Sequence, residues 1–245
     1  MSDFVIISGH SHGLGAALTA AWLACDARVL GLSRCTNQEL ATAYPHLLKE
    51  ISVDLSNPMA VLALIHDMPF RRFCNEAERL WLFNNAGTVA PSTPLGTQDS
   101  DKITLAVNLN IMAPMLLSNA VVEEARRPQQ VNIVHISSGA GRKAYAGWSI
   151  YGASKAALDR HAASVASEKQ GVRIVSLAPG IVDTTMQENM RHDQTFPLRE
   201  HFANLHLEGK LQSAEDTALK ILAYCLSDQF GSDPIVDIRK IEIPL

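Results

Sequence analysis

Along the chain, short runs of Val, Ile, Leu and Phe alternate with longer stretches in which apolar residues recur every three or four positions. The short runs fall at residues 4–7, 28–32, 51–53, 80–83, 131–136, 172–177 and 235–238. Most are apolar throughout rather than at every second position, as strands covered on both faces are. The longer stretches read as helices: AALTAAWLA at 16–24, then 102–122, 149–169, and one that Ser213 and Asp216 open and that ends near Leu226. Strand and helix taking turns throughout predicts an α/β fold, a doubly wound parallel sheet of about seven strands with helices on both faces. No repeat, low-complexity tract or shift of composition divides the sequence, so one domain over 1–245 is expected.

The ends of the short runs carry the candidate chemistry. The first leads into SGHSHGLG and then a helix, and a glycine turn ahead of a helix N-terminus can hold a phosphate on its backbone amides. Gly9, Gly13 and Gly15, with Ser11, His12 and Leu14 among them, are therefore candidate cofactor residues. The run at 28–32 ends in Ser33 and Arg34, where a ribose 2′-hydroxyl would call for Asp or Glu; a guanidinium there suits a 2′-phosphate and favours NADP(H). The run at 131–136 delivers Ser138 to the sheet's carboxyl edge, while alternation turns Ser137 the other way. Tyr151 and Lys155 are four apart in the predicted helix 149–169 and share one face. A phenol titrates near 10, and bringing it to about 7 takes roughly 4 kcal/mol of preferential phenolate stabilisation, which a neighbouring ammonium partly supplies. Ser138, Tyr151 and Lys155 could then converge on one carbonyl oxygen.

Composition narrows the field. The 245 residues are 47% hydrophobic with a net charge of −4, which allows a large core and gives no electrostatic case for nucleic acid or an anionic membrane. Cys25, Cys35, Cys74 and Cys225 form no paired motif and no His cluster has zinc spacing, so no metal is expected and reduced, cytoplasmic thiols are the reading. MSDFVIISG has no basic leader and its apolar run is too short for a signal or span, so it reads as the first strand.

Gly-x-x-x-Gly-x-Gly after the first strand, NNAG after the fourth, Ser138 with Tyr-x-x-x-Lys, and the turn PGIVDT together resemble the short-chain dehydrogenase/reductase family over essentially the full length. The resemblance implies a single-domain Rossmann-like sheet. It also implies that Asp54 and Leu55 meet the adenine, that Asn85, Ala86 and Gly87 line the ribose, and that Pro179, Gly180, Ile181, Val182 and Thr184 meet the nicotinamide. By the same resemblance, Tyr151 and Lys155 touch cofactor as well as substrate, and Asn108 holds a water that links Lys155 to solvent. The neighbouring Asn110 serves as the control position. Family members usually pair through long central helices, so a homodimer or homotetramer is expected by resemblance.

NNAGTVAP, ISSGAGRKAYAGW, APGIVDTTMQ and LEGKL resemble the branch containing sepiapterin reductase and benzil reductase. That implies NADPH-dependent reduction of one carbonyl of a vicinal diketone or a related aromatic or pteridine side-chain ketone. Tyr145, Trp148 and Met186 would be apolar walls of the substrate pocket. Asp237 resembles the acid that sepiapterin reductase sets against its pterin, and 185–212 is expected to lie over the cleft as a lid. Two readings compete at this point: a 3-oxoacyl or sugar-alcohol oxidoreductase of the same family, and a non-catalytic NADP-binding sensor.

Overall fold

The computed structural model describes residues 2–125 and 130–242. Seven strands, β1 (Asp3–Ser8), β2 (Arg28–Ser33), β3 (Leu48–Ser52), β4 (Arg79–Asn84), β5 (Gln130–Ile136), β6 (Arg173–Ala178) and β7 (Ile235–Asp237), pair in the order β3-β2-β1-β4-β5-β6-β7, all parallel. The chain winds outward from β1 to β3, then returns to place β4 on the other side of β1. That reversal opens a crevice beyond the carboxyl ends of β1 and β4, where open α/β sheets bind ligands.

Period-two alternation divides the strand side chains between two cores. Val5, Ile7, Trp81 and Phe83 face α1 (Gly13–Leu23) and pack with Trp22, Tyr224 and Phe230. Phe4, Ile6, Leu80 and Leu82 face the opposite layer with Phe70, Phe73, Leu117 and Val121. The helix starts follow capping chemistry. Asn57 accepts from Met59 N and Ala60 N ahead of α3 (Pro58–His66), which starts with proline; α4 (Met68–Glu76) comes directly after it. Asp99 caps α5 (Ser100–Val107) in the same way.

Three features depart from the sequence reading. β3 begins at Leu48, because Lys49 and Glu50 pair with Leu30 and Gly31 on an edge strand whose outer positions need not be apolar. A short helix, α2 (Gln38–Ala43), buries no side chain, which is why periodicity missed it. The long helix expected at 102–122 is interrupted by a π turn at Asn108–Met112 between α5 and α6 (Ala113–Glu124). Ser100–Glu124 is apolar and long enough to cross a membrane by composition, yet its inner face packs on α3, α4 and α7 (Ser149–Ser167). Residues 185–212 contain two helices, α8 (Thr185–His192) and α9 (Arg199–Leu207), ahead of α10 (Ala214–Leu226), which Ser213 caps at Asp216 N.

Candidate active site

A cavity of about 780 Å³ runs along the carboxyl edge of the sheet, from the glycine turn after β1 to an aromatic cluster under α8 and α9. The chain leaves β1 through Gly9 and Gly13, at φ +68 and +52. At Gly15 a Cβ would lie 2.0 Å from Gly9 O and 2.5 Å from Asn85 Nδ2, so only bare backbone fits. The turn after β4 braces this loop. Asn85 Nδ2 donates to Ser8 O at 2.9 Å and Gly9 O at 3.2 Å, and Ser8 Oγ accepts from Asn85 N and Ala86 N.

Gly9, Ser11, His12, Gly13, Leu14, Gly15, Ser33, Arg34, Asp54, Leu55, Asn85, Ala86 and Gly87 all line this end of the cavity. Ser33 Oγ lies 3.0 Å from Ser11 Oγ, which is 2.7 Å from His12 Nδ1. Arg34 is exposed beside them. Asp54 accepts from Ser56 Oγ and Ser56 N, and these bonds, helped by Arg34, hold its carboxyl below the usual range. Sequence reasoning missed His10. Its ring is fully buried against Gly31, where a Cβ would sit 2.4 Å away, and Nε2 meets Glu50 Oε1 at 2.6 Å. Glu50 also accepts from Asn37 N, so one carboxylate ties the glycine loop to the start of α2. The signal was a histidine, a glycine and an acid on three adjacent elements, invisible without the strand register.

At the centre, Ser138 ends the extended backbone after β5 and accepts from Ala140 N at 3.1 Å, opening a 3-10 turn at Gly139–Gly141. Ser137 turns away, as expected, and donates to the buried Asp159 at 2.8 Å. Tyr151 and Lys155 both line the cavity one turn apart on α7, with Lys155 Nζ 5.6 Å from the Tyr151 ring centroid and donating to Ile136 O at 2.8 Å.

The electrostatics differ from the simplest expectation. Burial raises the Tyr151 phenol above its ordinary value, and the hydrogen bond with Ser138 opposes this only in part. Burial also lowers Lys155 to about 8, against the pull of Asp159. Desolvation therefore outweighs any lowering of Tyr151 by Lys155, and the phenol keeps its proton at neutral pH.

Asn108 is a correction. Its Nδ2 donates to Ser56 O at 3.1 Å, away from Lys155. The π turn instead aims Asn110 inward, fully buried, with Thr88 N donating to Oδ1 at 2.9 Å while Nδ2 donates to Thr88 O at 2.8 Å and Ser154 Oγ at 3.2 Å. At Gly87 a Cβ would lie 3.2 Å from Asn110 Oδ1 and 3.6 Å from Lys155 Nζ, which puts the two beside the same bare backbone. A regular helix register cannot foresee this, since a π turn adds a residue to one turn and so rotates the later side chains about the helix axis.

Pro179, Gly180, Ile181, Val182 and Thr184 line the far wall, with Val182 bridged to Gln212. Trp148 is the hub of the aromatic end: Phe196 stacks on it at 5.1 Å, and Tyr151, Phe202 and Tyr145 pack at 5.1, 5.3 and 5.5 Å. Its Nε1 donates to Ser92 Oγ at 3.2 Å. Tyr145, Met186, Met190 and Phe202 complete the lining. Asp237 is the second correction. It does not line the cavity, because Arg239 takes up its carboxylate through Nε at 2.9 Å and Nη2 at 2.6 Å and stands in the wall itself. Among the described residues no His, Cys, Asp and Glu grouping could hold a metal.

A doubly wound sheet, a glycine turn that bare backbone alone can make, and a Ser, Tyr and Lys on one cavity define a nicotinamide-dependent oxidoreductase scaffold. In agreement, a sequence profile described as short chain dehydrogenase matches residues 3–195, and the chain belongs to that family. Benzil reductase ((S)-benzoin forming) of Bacillus cereus is 32% identical over 245 residues, covering 96% of this chain and 98% of the relative. Sepiapterin reductase of Rattus norvegicus is 29% identical, covering 96% of each. Among solved structures, a short-chain dehydrogenase/reductase from Burkholderia vietnamiensis shares 39% identity at a TM-score of 0.72, covering 98% of both chains.

Proposed function

We propose that this oxidoreductase is an NADPH-dependent carbonyl reductase acting on vicinal diketones or related aromatic side-chain ketones. One observation carries the reading: a protonated phenol, beside a serine hydroxyl and a lysine, faces a single cavity that joins a glycine turn to an aromatic pocket. The residues fit a dinucleotide. Gly9, Gly13 and Gly15 expose backbone, and Arg34 and Ser33 line the cavity at the end of β2 with no acid beside them, which supports a 2′-phosphate there. The nicotinamide, when bound, supplies the hydride. Ser138 donates a hydrogen bond to the carbonyl oxygen, Tyr151 transfers its proton to that oxygen, and Lys155 favours the phenolate left behind. Asn110 holds the backbone around Gly87 and Tyr151, through Thr88 and through Ser154, which donates to Tyr151 O at 2.7 Å.

The flat aromatic lining around Trp148 and the similarity to the benzil reductase of Bacillus cereus favour a diketone over a thioester or a polyol. α8 and α9 serve as the lid, since Phe196 and Phe202 reach Trp148 from that segment. The exposed Leu105 and Val107 on the long α5–α6 rod suit pairing with a second copy. The test is NADPH oxidation with benzil, 1-phenyl-1,2-propanedione, sepiapterin and an acetoacetyl thioester, with Tyr151→Phe beside the native chain. The diketones are expected to turn over fastest, and Tyr151→Phe is expected to lose turnover while still binding NADPH. A thioester preference, or a fully active phenylalanine variant, overturns the proposal.

A further inference from the structure

We propose that Arg239 is a specificity-determining residue that binds a carboxylate on the substrate, so that the enzyme's preferred vicinal dicarbonyls carry a negative charge. The inference rests on the carbonyl-reductase reading and adds the chemical class of substrate to it.

Four observations carry it. Arg239 lines the cavity, as do Tyr145, Trp148 and Met186, whereas Asp237 does not. The guanidinium is held in place on one side only: Nε and Nη2 are spent on the two oxygens of Asp237, while Nη1 has no protein partner among the described residues. Arg239 is half exposed, and the carboxylate along one edge restricts its side chain before a ligand arrives, while its remaining edge has the fork geometry that a second carboxylate matches. Its stem lies across Gly180, where a Cβ would be 3.2 Å from Arg239 Cδ; this close approach needs the glycine, which is at φ +91. Arg239 is thereby brought onto the Pro179–Gly180 turn beside Ile181 in the cavity wall.

The charge distribution along the cavity agrees. Asp54 is the sole carboxylate lining it among the described residues, and it comes after β3, at the opposite edge of the sheet from β7 and Arg239. The basic groups lining the cavity beyond the glycine turn are Lys102, Lys155 and Arg239, with His201 beside Phe202. Of the acids near that wall, Asp237 is closed off by Arg239 and sits in the field of Arg142 as well, and Asp183, which does not line the cavity, is paired with Arg191. A cationic substrate group such as an ammonium would meet a guanidinium of like charge here. An anionic substrate would meet a waiting donor, and its aromatic part would lie on Trp148 and Tyr145.

The experiment compares benzil with 4-carboxybenzil, which share the diketone and differ by one carboxylate. Steady-state kinetics on the native chain, Arg239→Gln and Arg239→Lys give kcat and KM for each, at low and high salt. The native chain is expected to favour 4-carboxybenzil at least fivefold in kcat/KM. Arg239→Gln should raise KM for the carboxylated compound about 10- to 100-fold, the size of a lost charge-assisted pair, with benzil changed less than about threefold. The lysine variant should fall between, and salt should erode the preference only where the cation is present. A merely structural clamp on Asp237 would move both substrates together. Equal ratios in native and glutamine chains, or a native preference for benzil, would overturn the assignment. Equilibrium binding of both compounds, followed by tryptophan fluorescence, repeats the comparison without turnover. If neither compound is reduced, the diketone reading fails, and the binding ratio still decides the role of Arg239.

Discussion

Replacing Asn110 by alanine separates the two asparagines of the π turn. Asn110 is fully buried and makes three hydrogen bonds, two to the Thr88 backbone and one to Ser154. The alanine leaves a backbone N–H and C=O of a half-buried residue without partners, each costing about 1 to 3 kcal/mol, with partial exposure favouring the lower figure. The expected loss is about 2 to 4 kcal/mol, or a fall in Tm of roughly 5 to 15 °C for a chain of this size. Asn108→Ala removes one bond, to Ser56 O, from a half-buried site and should cost about 1 kcal/mol. Thermal melts measure the first effect. NADPH turnover measures the second: Asn110→Ala should lose at least tenfold in kcat, because Thr88 and Ser154 stop fixing the backbone next to Lys155 and Tyr151, while Asn108→Ala should stay within about threefold. Should Asn108→Ala match Asn110→Ala in both melts and turnover, the assignment of Asn110 is refuted.

The remaining predictions concern the cofactor turn and the lysine. Arg34→Ala should lower the NADPH over NADH efficiency ratio at least tenfold, and an unchanged ratio removes Arg34 from the site. Gly15→Ala must displace Gly9 O by more than 1 Å to reach ordinary contact, given a Cβ at 2.0 Å; a fluorescence titration should show NADPH binding weakened at least tenfold, and native affinity would contradict the close-approach argument. Burial lowers Lys155 from 10.5 to about 8, so between those values the unfolded chain holds a proton that the folded chain has released, and stability rises with pH there. Below pH 8 the full cost, on the order of 3 kcal/mol, is present. Lys155→Met should therefore exceed the native chain in urea stability at pH 7 by more than at pH 9.5, and a gap independent of pH would count against desolvation as the cause.

The sheet was legible because buried parallel strands are apolar on both faces, so six of its runs stood out against the helices. The edge strand β3 showed only its apolar end at 51–53, and its start was hidden because Lys49 and Glu50 sit where only one neighbour, β2, sets the register. Glycines that admit no side chain, such as Gly15, could be placed because their spacing falls between a strand and a helix. Residues whose role depends on contacts beyond the sequence pattern could not: His10 meets Glu50 across β2, Asn110 meets Thr88 through a π turn, and Arg239 folds back on Asp237 two residues before it. Asp237 shows the limit most clearly. Its position in the chain suited a substrate contact, and only the geometry reveals that its neighbour is closer to the cavity.

The sign of the Tyr151 shift bears on how the lysine acts. An ammonium that lowered the phenol to neutrality would do so equally before and during reaction, leaving part of the acid ionised and unable to donate. Here the aromatic packing of Trp148 and the burial of the site keep Tyr151 protonated. Lys155 is pinned to Ile136 O and has no phenolate to stabilise until the proton has begun to leave. In the mechanism proposed above its contribution therefore grows as charge develops on Tyr151, and an interaction stronger in the transition state than in the ground state is the kind that raises kcat. The raised phenol and the lowered lysine are thus two results of one cause, burial, which keeps the proton on Tyr151 while a lysine lowered to about 8 still carries its charge at neutral pH.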